Sequence, residues 1–152
     1  MKKFLIAFSV LIVAVLSIGG FLSEYGSYFA DPILKELPIY KSKEIYSSGF
    51  WMDFTTYGKF TYKNVSEEDL QSAESFEKIT EEDIEKILDC IDTVEVYAEQ
   101  SDVELKENYD FDKTVISTED YYCMEGHYNS ATFNLFYFDS DKQTLYYFHN
   151  DI

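Results

Sequence analysis

Residues 132–149 read TFNLFYFDSDKQTLYYFH, two aromatic runs separated by five turn formers. Aromatic and β-branched side chains favour strands, and a cluster such as Asp139-Ser140-Asp141-Lys142-Gln143 closes a hairpin. The stretch therefore predicts two antiparallel strands, Thr132 to Phe138 and Thr144 to His149. A third strand, Tyr121 to Glu125, precedes them across a loop from Gly126 to Ser130. In the last two strands both faces are apolar. Phe133, Leu135 and Tyr137 alternate with Phe136 and Phe138, and Leu145 and Tyr147 alternate with Tyr146 and Phe148. A sheet built from them needs cover on two sides.

One cover is written upstream. Thr80-Glu81-Glu82-Asp83 places a hydroxyl at a helix cap and acids against the positive helix end. Ile84, Ile87, Leu88, Ile91, Val94 and Ala98 then recur at three- and four-residue spacing, a single apolar stripe. Ser66-Glu67-Glu68-Asp69 repeats the cap signature and predicts a shorter helix, Glu67 to Phe76. One long helix covers one face only. The second face is expected to take cover from the short helix or the chain before the sheet, or to stay partly exposed as an aromatic binding surface. Phe136, Phe138, Tyr146 and Tyr147, on the aromatic faces of the meander, are the candidates for contact or core.

Before the helices, Phe50 to Tyr62 alternates, with Phe50, Met52 and Phe54 on one face. It predicts a strand pair or one long bent strand, with Gly58 as a bulge or a hairpin corner. Strands and helices in blocks imply an α+β domain. The expected core is an antiparallel meander of four to five strands, with one long amphipathic helix packed on one face.

The chain opens with Lys2 and Lys3 and then nineteen uncharged, mostly apolar residues, Phe4 to Leu22. As a helix the run would reach about 28 Å, close to the ~30 Å hydrocarbon core of a bilayer. Ser17-Ile18-Gly19 also offers a small-x-small cleavage site. Residues 1–23 thus read as a transmembrane anchor or a signal peptide, residues 24–48 as a connector holding Pro32 and Pro38, and residues 49–152 as an extracytoplasmic domain. The lysines hold the N-terminus in the cytoplasm and the domain outside, membrane-bound or secreted. No cysteine stands near the end of the run, which excludes a lipid-modified cysteine anchor.

Twelve basic residues, all lysine, face twenty-nine acids; beyond the apolar run ten remain, a net charge of −19. That charge excludes nucleic acid as a partner and favours a basic protein. The absence of arginine argues against phosphoryl transfer, which leans on the guanidinium fork. Fourteen Tyr, thirteen Phe and one Trp exceed what a core of this size needs, so several are expected at the surface.

Cys90 and Cys123 are expected to form a disulfide, since exported chains oxidise their cysteines. Closing ~33 residues would contribute roughly 3–4 kcal/mol. Cys90, Cys123, His127 and His149 have the donor types of a zinc site but no recognised spacing. Asp139-Ser140-Asp141 begins like a calcium loop, but Thr144 and Asn150 stand where such a loop needs its glycine and its bidentate glutamate. No phosphate-cradling loop, serine elbow or His-Glu-x-x-His helix is present. The expectation is a non-enzymatic envelope module without a cofactor, acting by binding a protein or ligand. An inhibitor or immunity-type protein against a basic toxin or hydrolase is the alternative, and an envelope hydrolase the least favoured.

Overall fold

In a computed structural model, residues 32–50, 53–100, 103–126 and 132–151 are described. The expected N-terminal helix lies outside them. Among the described residues no helix is long and apolar enough to cross a membrane.

The domain is α+β, with a six-stranded antiparallel sheet and a long helix against one face. Its strands are β1 (Ser42–Phe50), β2 (Asp53–Thr61), β3 (Glu77–Lys78), β4 (Tyr121–Gly126), β5 (Phe133–Asp139) and β6 (Thr144–Asp151). They lie in the order β1-β2-β6-β5-β4-β3. The C-terminal meander forms as expected, but its last strand inserts beside β2. A hairpin and a meander thereby become one sheet. Between the strands run helices α1 (Glu67–Ser72), α2 (Glu81–Gln100) and α3 (Val103–Asn108) and a 3-10 turn, Lys113–Val115.

The sheet starts earlier than its hydropathy suggests. β1 begins at Ser42, inside the stretch read as connector, because its side chains are mostly polar and it lies at the sheet edge. Phe50 to Tyr62 therefore contains one strand and the end of another. Gly58 neither turns nor bulges: it pairs in register with Ile45 and Tyr147. A Cβ there would meet Ile45 Cγ1 at 3.4 Å and Tyr147 Cβ at 3.5 Å, ordinary van der Waals contact. The first helix stops at Ser72 rather than Phe76, and the chain then adds the short strand β3.

Both faces are covered from within the chain. On one, α2 supplies Ile87, Cys90, Ile91, Val94 and Ala98 against Tyr57, Phe133, Leu135, Tyr137, Tyr146 and Phe148, with Leu105 and Phe111 completing the cluster. On the other, Ile33, Leu34 and Leu37 from the connector join Val65, Leu70, Ala73 and Phe76 over Phe60, Phe136, Phe138, Leu145 and Tyr147. The observed helix stripe is rotated by roughly 40° from the expected one. Ile84 and Leu88 are only half-buried, whereas Asp83 and Cys90 are buried. The helix turns this way because Asp83 is held inside: it accepts from Thr80 N (3.1 Å) and Oγ1 (2.6 Å), Lys86 Nζ (3.1 Å) and Tyr122 OH (3.0 Å).

Candidate functional site

The residues singled out from sequence do not assemble a site. Phe136, Phe138 and Tyr147 lie in the core under the connector, while Tyr146 points to the α2 side. Three of the four are fully buried and Tyr146 is 7 % exposed. They are packing residues on two different faces, the core alternative of the expectation, and none of the four forms an exposed contact surface. Most of the other described aromatics are buried or half-buried as well. Among the described residues Tyr97 is the one large aromatic that stands exposed, alongside Val96 and Ile39.

The expected disulfide is not formed either. Cys90 and Cys123 are free and buried. Cys90 packs on the α2 face and Cys123 on the opposite one, so the sheet itself separates the sulfurs. The same separation divides the three described zinc-type donors, since His149 shares its face with Cys123 and not with Cys90. His127 lies outside the described residues. Burial pushes both thiols up to about 12, with Asp89 adding to the effect at Cys90 and Glu125 at Cys123. Such thiols are poor nucleophiles. Among the described residues no group of histidine, cysteine and acid side chains is placed to hold a metal ion.

What the fold does assemble is a polar row across the connector-side face. Ser47 on β1 pairs with Thr56 on β2, Thr56 with His149 on β6, His149 with Asn134 on β5, and Asn134 with Glu125 on β4. The row spans five strands, and the adjacent row (Ile45, Gly58, Tyr147, Phe136, Cys123) is apolar apart from the tyrosine hydroxyl. Ser47 and Thr56 share a hydroxyl hydrogen bond of 2.8 Å. Asn134 Nδ2 donates to Glu125 Oε2 at 3.2 Å, which turns Asn134 Oδ1 toward β6. That oxygen accepts from Tyr147 OH at 2.8 Å and lies 2.8 Å from His149 Nδ1. A carbonyl oxygen can only accept, so Nδ1 carries the imidazole proton. The ring is 2 % exposed, tilted against Phe54 at 4.7 Å and stacked over Tyr147 at 6.2 Å. Burial holds His149 below the ordinary imidazole value, against opposing pulls from Asp151 and the Phe133 backbone. The Thr56 hydroxyl is engaged with Ser47, so the row is a positioned network rather than a nucleophile–base pair.

Sequence reading missed this row because each strand contributes a single polar residue. Only the register aligns them.

The acids divide into two populations. Some are held by tyrosines: Tyr57 donates to the exposed Asp110 (2.8 Å), Tyr137 to the buried Asp120 (2.7 Å) and Tyr122 to the buried Asp83. Burial and then the acid partner raise each of these hydroxyls, Tyr122 to about 12. Others line the outward face of α2. Glu81, Glu82, Glu85, Asp89, Asp92 and Glu99 are all exposed, and Val96 and Tyr97 stand among them. Lys86 on the same helix is committed to Asp83. Lys113 bridges Asp92 and Glu95 at 2.6 Å each.

Comparison with protein families, with curated proteins and with solved structures finds no match to this chain.

Proposed function

We propose that this protein is an extracytoplasmic binding module that engages a basic protein through the outward face of α2. The observation that carries the reading is the composition of that face: six exposed acids along the helix, with two exposed apolar side chains, Val96 and Tyr97, toward its C-terminal end. Acids at a rim speed and orient encounter with a cationic surface, and an exposed tyrosine beside them supplies an anchor. The aromatic strands no longer compete for the role, since their side chains are core. The apolar run from Phe4 to Leu22 supports placing the domain outside the membrane. Neutralising a basic toxin or hydrolase is one form of such binding.

The test is capture from envelope and secreted fractions with the full chain as bait, against a variant carrying Glu82→Gln, Glu85→Gln, Asp89→Asn and Glu99→Gln. A basic protein retained by the wild type and lost from the variant, with affinity falling as salt screens the contact, supports the reading. Capture indifferent to both the substitutions and salt refutes it. Protease added to intact cells checks the location: the domain is cleaved if it lies outside and spared if it lies inside.

A further inference from the structure

We propose that the polar row is an acid-operated latch: protonation of His149 opens the end of the sheet where the row lies and leaves the two aromatic cores closed. The row is a polar tie beside the apolar row of that face, and the imidazole sits at its centre, on the strand that joins the two halves of the sheet. In the closed state the ring is neutral and already spends its Nδ1 proton on Asn134. A second proton therefore brings no new bond to Asn134 and places a full charge between the Phe54 and Tyr147 rings.

The charged groups on described elements around the ring are few. From β4, Glu125 is exposed and held to Asn134; from β6, Asp151 is partly exposed and accepts from Thr132 Oγ1 at 2.9 Å. β2 presents Thr56 and Phe54, β5 presents Asn134, and β1 presents Ser47, none of them ionisable. Both carboxylates attract an imidazolium, but they face solvent, where their pull is screened. Burial therefore dominates. An opened end returns the ring to water and to its ordinary value of 6.5, so opening takes up a proton and acid drives it. Among the described residues His149 is the one histidine; the chain's other histidine is His127.

The experiment uses the full chain in nonionic detergent. Trp51, the single tryptophan, follows β1 and precedes β2 in the sequence, and its fluorescence is the readout. Between pH 7.5 and 4.5 the wild type is expected to show a reversible fluorescence transition with its midpoint below 6.5, while far-ultraviolet circular dichroism stays constant. His149→Gln, which keeps a neutral donor, is expected to lose the transition, and His127→Gln to retain it. A transition unchanged in His149→Gln, or no transition in the wild type, overturns the proposal. The His149 ring resonances, followed by NMR in the wild type, remove any dependence on how the variant folds. Titration at or above 6.5 overturns the latch, and titration below it, coincident with the fluorescence change, supports it.

Discussion

Replacing Phe136 with alanine asks most directly whether the aromatic strands are core or contact surface. The ring is fully buried, stacks on Tyr147 with centroids 4.7 Å apart and planes 22° from parallel, and lies beside Cys123 across the ladder. Deleting a buried phenylalanine costs about 3–5 kcal/mol in lost transfer energy and residual cavity. The stacked pair accounts for about 0.5–1.5 kcal/mol of that. A domain of this size holds about 5–15 kcal/mol in total, so the variant keeps a fold but a weak one. At about 4 °C per kcal/mol, Tm should fall by about 12–20 °C. Tyr97→Ala, on the exposed face of α2, should change stability by less than about 0.5 kcal/mol. Both are read by thermal and guanidinium unfolding of the full chain in detergent. A loss below about 1 kcal/mol for Phe136→Ala would refute the packing described for that face.

Three further outcomes follow from the same structure. In denaturant without reductant both Cys90 and Cys123 should alkylate, whereas in the native state at neutral pH both should resist; a mass two protons lighter, refractory to alkylation, would show a bridge instead. Asp83 sits at about 2, held down chiefly by the Thr80 hydroxyl and then by Lys86, below its ordinary 3.8. Its folded form prefers the carboxylate, so its contribution is complete above about pH 4 and fades as pH falls toward 2; Asp83→Asn should flatten the stability profile in that window, and an unchanged slope counts against the assignment. Gly126 adopts φ +92°, where a Cβ would meet Thr132 O at 2.9 Å, so Gly126→Ala should cost about 1–3 kcal/mol in equilibrium unfolding. A neutral result would mean that the β4–β5 hairpin closes differently.

How much of this was legible depends on which physical signal each element carries. The C-terminal strands and α2 are marked by strong periodicity and caps, and the structure keeps their bounds nearly unchanged. β1 carries no such mark, since an edge strand of lysine, serine and glutamate resembles a linker until β2 is placed beside it. α3 and the 3-10 turn at Lys113–Val115 are too short to show a period. For Cys90, the stripe assumed from Ile84 and Leu88 put the thiol at the edge of the helix face. The buried cap at Asp83 rotates the helix and sinks Cys90 into the face away from Cys123. The polar row is a property of register, which one strand read alone does not contain.

The placement of β6 also constrains how the chain can reach this state. β1 and β2 can form a hairpin early, and β4 can find β5, yet neither pair can share a sheet until β6 lies between them. Phe54 pairs with Asp151 and Thr61 with Thr144, partners separated by most of the domain. Closing such distances costs entropy before any long-range pairing repays it, and topologies of this kind fold slowly. A chain emerging N-terminus first would therefore hold only the β1–β2 hairpin through most of its synthesis, with β4 and β5 arriving shortly before β6. The two halves of the sheet stay unjoined until β6 has been made.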